Sequence, residues 1–411
     1  MNIVFGIIIG IFVLMGLIVA HELGHFIAAR RNGVTVKEFG IGFPPKALAW
    51  VKGKDGKWHR LPRKDWKKEQ KSLILSLNWL PIGGFCSMDG ESDADTRKGT
   101  FGAASFWQKT KILFAGVAAN WLVAFIILTV LAITGMPHFV DNQFTIQGDT
   151  SVAPGIVTVR EVVKDSPAEK AGFEPGDQIL RAAPSEDCLN DPSCTDAIDV
   201  VDATSVTGFN KSHPSEKVYY NIMRDNTEKQ LSATLGTADA SYLLGISMSQ
   251  NGQALYRSTW SAPIVGAATT IQLTGATFEG LGNLLWNLCS GIVSQVSFDG
   301  DTREQGREAI GAAGDSVSGP VGIVGTVFPA FTEAGPTNVA FLAALISVSL
   351  ACMNVIPIPA LDGGRWLLIA IFRLRRKKLT KDTEERIVSR AFIVLLALIV
   401  IITVLDITRL F

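Results

Sequence analysis

Neither sign of charge dominates this chain. Its 38 lysines and arginines are matched by 38 aspartates and glutamates, so it lacks the one-sign field of a nucleic-acid binder. The basic residues flank apolar stretches rather than forming one patch. Histidine and cysteine are scarce, five of each in 411 residues. Cys86, Cys289 and Cys352 stand singly near apolar segments and read as small apolar side chains. Cys188 and Cys194 fall in CLNDPSC, where a loop disulfide and two free thiols both fit, because spacing does not set connectivity. The N-terminus has no basic n-region and no small-x-small cleavage site, which argues against a removed signal peptide.

Long apolar runs are abundant. Residues 3–20 carry no charge and rise roughly 27 Å as a helix, close to one hydrocarbon thickness. Further spans are expected at about 112–135, at 338–372 with a break at Pro357 and Pro359, and at 391–409. Residues 281–296, with Asn283 and Asn287, read as part of an amphipathic surface helix. Residues 30–71 hold 13 basic and 4 acidic side chains, 373–390 hold 8 and 3, and 141–256 hold 8 and 17. The positive-inside rule then puts 30–111 and 373–390 in the cytoplasm, and the acidic insertion and both termini outside.

The first span ends in HELGH. Two histidines and a carboxylate at membrane depth are costly and need partners or a role. His21 and His25 are i and i+4, so both imidazoles leave one helix face. That spacing suits two zinc ligands, with Glu22 beside them as general base. A protease site needs a third protein ligand and a water. NVIPIPALDGGR supplies Asp362, which lies about as deep from the outer surface along its own span as His21 does along the first. Gly363 and Gly364 let the chain bend there.

Together these residues resemble the site-2 protease family of intramembrane zinc metalloproteases, in its RseP-like bacterial branch. HELGH looks like the family's first-span motif and NVIPIPALDGGR like its third-span motif. The resemblance implies Zn2+, one per chain, on His21, His25 and Asp362, with Glu22 catalytic and Asn354 contacting substrate. EFGIGFPPK resembles a membrane-reentrant hairpin, followed by the strand PIGGFCSMDGE, and SGPVGI at 318–323 is a further shared segment. FAGVAAN departs from the usual FAGPxxN, with Val117 where proline is expected, and this loosens the match at Asn120. SPAEKAGFEPGDQIL resembles one PDZ domain, with strands expected at 155–163, 217–225 and 229–236.

The implied fold is a polytopic α-helical membrane protein with four transmembrane helices, a reentrant β-hairpin and one inserted PDZ-type domain. Its parts are 1–137 (first half of the membrane core), 138–245 (PDZ-like), 246–336 (exterior or interfacial helices) and 337–411 (second half of the core). Phe39, Gly40, Ile41, Gly42 and Phe43 are the candidate strand edge, pairing with substrate unwound from its helix. The expected partners are single-pass transmembrane proteins, such as anti-sigma factors, or remnant signal peptides. The lipid bilayer completes the list, with a peptide at the PDZ-like domain if that domain reads peptides; a size filter over the membrane site fits it equally. The expected location is the bacterial inner membrane, with the site near its cytoplasmic side. A metallopeptidase with a glutamate ligand is disfavoured because the later spans carry no glutamate at matching depth. A zinc transporter is disfavoured because His59, His138 and His213 lie in loops. A PDZ scaffold would have no use for Glu22.

Overall fold

The apolar runs fold as helices because each satisfies its own backbone donors and acceptors. A computed structural model describes residues 3–53, 55–66, 72–138, 143–153, 155–237, 242–251, 255–295, 304 and 319–410. It divides into two units, 1–129 with 266–411, and 130–265. Among the described residues, four helices are long and apolar enough to cross a membrane.

In the first unit, α1 spans Ile3–Arg31 and α2 spans Phe106–Thr134. Arg30 and Arg31 close the last turn of α1, where cations complement the helix dipole. Between these helices lie β1 (Val36–Lys52), β2 (Trp58–Arg60) and β3 (Ile74–Met88). β1 and β3 each double back. Residues 74–77 pair with both 38–41 and 48–51, and 38–41 pair on their other side with 84–87. Half-buried polar groups pin the fold-back: Lys46 Nζ donates to Glu38 Oε2 at 2.8 Å and Ser76 Oγ to Glu38 Oε1 at 2.6 Å. Asn78 Nδ2 donates to the Gly42 carbonyl at 3.0 Å. The tip is apolar and exposed at Phe43, Trp79 and Leu80.

The second unit holds a sheet in the order β10-β9-β7-β6-β11, with β8 beside β7. Its strands are β6 (Ile156–Val162), β7 (Gln178–Ala183), β8 (Ile198–Asp199), β9 (Lys217–Arg224), β10 (Thr227–Thr234) and β11 (Ile246–Asn251). Helices α3 (Pro167–Ala171), α4 (Glu186–Asn190) and α5 (Ala203–Ser212) join them. Inward alternation along β6, β7 and β9 buries Val157, Val159, Ile179, Tyr220 and Ile222 with Val206 of α5. The strand β11 lies beyond the expected boundary at 245, yet pairs with β6 along its whole length and belongs to this sheet. A smaller sheet runs β4 (Met136–Pro137), β12 (Leu255–Arg257), β5 (Ser151–Ala153). Cys188 and Cys194 are joined as a disulfide.

Asp149 accepts from the Thr259 and Ser261 amides at 2.9 and 3.1 Å and from both their hydroxyls, just before α6 (Ala262–Gln295). These donors, Ser261 foremost, hold its carboxyl at about 2, below the ordinary value near 3.9. A depressed folded-state pKa stabilises above the unfolded value and is lost as pH falls through the folded one. Protection of the Thr259 and Ser261 amides from hydrogen exchange, taken relative to the unstructured rate at each pH, is therefore expected to hold at pH 5 and to fall between pH 4 and 2. An Asp149→Asn variant should show low protection throughout.

The rest of the first unit completes the core. The expected amphipathic segment 281–296 is the second half of the longer α6. A broken helix follows: α7 (Pro320–Gly322), a π turn at Ile323–Val327 and α8 (Phe328–Glu333). Ser318 of SGPVGI lies outside the described residues. Asp406 accepts from the Gly319 and Gly322 amides at 3.2 and 2.8 Å, supplying an acceptor to donors that a helix start leaves free. Gly6 of α1 packs on Pro329, where an added Cβ would stand 2.6 Å from its Cα. The third span is two helices, α9 (Pro336–Val355) and α10 (Asp362–Leu374), broken across Pro357 and Pro359, and α11 (Lys381–Leu410) is the last.

Candidate metal centre

Three side chains from two distant parts of the chain meet. His21 Nε2 and His25 Nε2 are 3.1 Å apart, and Asp362 Oδ2 is 3.1 Å from the first and 3.2 Å from the second. Ligands at about 2.0–2.1 Å in a tetrahedron stand about 3.3 Å from one another, so the triangle has the size that a zinc ion requires. The histidines are 8 % and 6 % exposed.

The protons fit the same reading. His25 Nδ1 lies 2.8 Å from the Ile112 carbonyl, which can only accept, so Nδ1 carries the proton and the neutral ring bares its lone pair at Nε2. Asp362 Oδ2 is buried and accepts no hydrogen bond among the described residues. Lone pairs turned toward one another this closely repel unless a cation sits between them.

Local sequence explains the convergence. Gly24 inside HELGH lets α1 approach α2: a Cβ there would collide with the Ala115 carbonyl and stand 2.9 Å from the Ala119 methyl. Gly116 of α2 faces the ring edges, and a Cβ there would stand 2.5 Å from His25 Nε2 and 2.7 Å from His21 Nε2. At the helix break, a side chain on Gly363 would strike the Val355 carbonyl and one on Gly364 the Ile358 carbonyl. The two glycines therefore let α10 begin against the end of α9, with Asp362 as its first residue.

Asn120 is 1 % exposed, with its amide 3.4 Å from His21 Nδ1. With Oδ1 turned to that nitrogen it accepts the Nδ1 proton and leaves Nε2 bare. Asn120→Ala is expected to weaken zinc binding about 10–100-fold, read by competition with a chromophoric chelator. Unchanged affinity would remove Asn120 from the site.

Glu22 sits within electrostatic reach of His25, His21 and Asp362, and the Cys86 amide of β3 faces its carboxylate. The expected free edge at Phe39, Gly40, Ile41, Gly42 and Phe43 is corrected by the pairing. Residues 38–41 are flanked on both sides, Phe43 pairs with Leu80, and the outer strand is 84–87. Its Gly84 lies against Glu22 and Val19. Asn354 Nδ2 donates to the Leu350 carbonyl one helical turn back, at 2.9 Å. A cavity of about 880 Å³ reaches Asp362 past Asp89, Glu91, Arg365 and Glu384. Glu384 holds its wall by accepting from the Asp93 amide at 2.8 Å and the Ser92 hydroxyl at 3.0 Å.

A two-histidine, one-aspartate cluster at the end of an apolar helix defines a membrane metallopeptidase. The chain belongs to peptidase family M50, the site-2 protease family, which matches residues 9–399. It is a zinc metalloprotease. A Nostoc sp. protein named "Putative zinc metalloprotease all3971" is 26 % identical over 98 % of this chain and 96 % of its own. The "Regulator of sigma-W protease RasP" of Bacillus subtilis is 24 % identical over 96 % of each. A Clostridium perfringens protein, "Putative zinc metalloprotease CPE1693", is 28 % identical over 98 % of each.

Proposed function

We propose that this enzyme cleaves peptide bonds within transmembrane helices of regulatory single-pass proteins, such as anti-sigma factors, or of remnant signal peptides. The observation that carries this reading is the triangle of His21, His25 and Asp362 at the charged end of α1, with Glu22 alongside. A relative named for sigma-W regulation supports a regulatory substrate.

His21 Nε2, His25 Nε2 and Asp362 Oδ2 would hold the zinc. When bound, it polarises a carbonyl and lowers the pKa of its water toward about 7. Glu22 accepts the proton of the attacking water and returns it to the leaving amine. The charged cavity at Asp362 admits water to the site. A helical substrate must unwind, and lipid offers its freed amides no partners. The outer strand 84–87 takes the unwound stretch by strand addition and aligns it past Glu22. Asn354 would hold substrate only after its amide leaves Leu350.

In a bacterial inner membrane the Arg30–Arg31 end of α1 is cytoplasmic, and the acidic unit with its disulfide is exterior. We read that unit as a PDZ-type domain. Its outer strand β11 runs beside α5, and the Leu244 and Gly245 amides donate to no backbone acceptor among the described residues. That groove suits an extended peptide. Cleavage of a reporter transmembrane substrate by the reconstituted protein tests the main reading. Cleavage confined to water-exposed loops would sink it.

A further inference from the structure

The first helix has a second face. At about 100° per residue, Leu23, Phe26 and Arg30 follow one stripe on the side of α1 away from His21 and His25. Against this stripe the sheet leaves a cavity of about 530 Å³, walled by Phe26, Phe39, Ile41, Trp50 and Leu75, within the usual range for ligand pockets. Its lip is apolar and open: Leu23 is 43 %, Trp58 44 % and Leu77 39 % exposed. At Arg30 and Leu73 it meets a second cavity of about 430 Å³, lined by Gly33, Thr35, Ser72 and Lys52 together with Val34 and Val36. The Arg30 guanidinium lies 5.5 Å from the Phe26 ring centroid, at the junction. Neither Arg30 nor Lys52 has a carboxylate partner among the described residues.

We propose that the joined cavities bind one anionic phospholipid, its acyl chain along Leu23 and Phe26 and its phosphate at Arg30 and Lys52. An apolar trough that meets, at Arg30 and Leu73, a cleft with two cations that have no carboxylate partner among the described residues matches an amphiphile. Free phosphate would leave the trough unused, and a neutral chain would leave the cations unused. A peptide strand would need an unpaired edge, which 38–41 lacks. The place suits a headgroup, since the Arg30–Arg31 end of α1 and the tryptophans Trp50 and Trp58 belong at a membrane surface. The lipid wedges between α1 and the sheet whose outer strand faces Glu22, and so sets their spacing.

Native mass spectrometry of the full-length protein tests this, with phosphatidylglycerol and phosphatidylcholine of matched chains offered in equal amounts. Two basic groups at the site predict that the wild type retains phosphatidylglycerol roughly 30-fold over phosphatidylcholine. Arg30→Gln with Lys52→Gln is expected to bring the ratio close to one, and Arg30→Lys with Lys52→Arg to keep it. Leu77→Trp, filling the trough, should lower retention of both lipids. Zinc content of each variant reports on folding, and lipid retention does not depend on proteolysis. An undiminished preference in the doubly neutralised variant overturns the proposal. So does displacement of the lipid by millimolar inorganic phosphate, or by a substrate helix.

Discussion

Glu22→Gln should lower cleavage of a transmembrane reporter about 10²–10⁴-fold while the purified protein still carries one zinc. The range is the usual contribution of a positioned general base. Glutamine keeps the shape of the side chain and its contact with the Cys86 amide, but cannot take a proton. Glu22 is not one of the three atoms of the triangle, so the metal has no reason to leave. Two measurements on one sample decide the matter, the cleavage rate and the zinc content. Retained cleavage would remove the base role from Glu22. Lost zinc would make it a ligand instead and reopen the choice of the third donor.

Gly116→Ala is expected to reduce bound zinc to less than about a tenth of the wild-type content. The added methyl would stand 2.5 Å from His25 Nε2, 2.6 Å from His21 Cε1 and 2.7 Å from His21 Nε2. Carbon needs about 3.5 Å or more from a non-bonded heavy atom. Neither ring can retreat freely, because His25 is tethered to the Ile112 carbonyl and His21 lies beside Asn120. Gly16 of α1 is the matched control, since a Cβ there meets nothing within 4 Å. Gly16→Ala should keep its zinc. Equal zinc in both variants would mean that Gly116 does not face the metal-binding atoms.

Much of the membrane core was legible in the linear chain. Apolar length marked four spans because a bilayer demands it, and each has a helix to match. The prolines at 357 and 359 marked the break that separates α9 from α10. Helical period put His21 and His25 on one face. The strand edge was not legible. FGIGF has the glycines and the apolar alternation of an exposed edge, but pairing partners come from residues 74–77 and 84–87, and no local pattern says how often a strand will be flanked. Gly116 was equally silent. A glycine in an apolar helix is common, and its meaning appears only once two imidazoles from another helix lie beside it.

The apolar spans, the spacing of HELGH and one aspartate beyond a proline break are properties of the linear chain, because they follow from local periodicity and chain length. The three-dimensional packing brings Asp362 Oδ2 to both imidazoles, gives Gly24 and Gly116 the task of making room for them, and makes residues 84–87 the edge beside Glu22. Those outcomes depend on how separate helices and strands pack. Packing is set by contacts between residues far apart in the chain, and a pattern read along the backbone does not contain them.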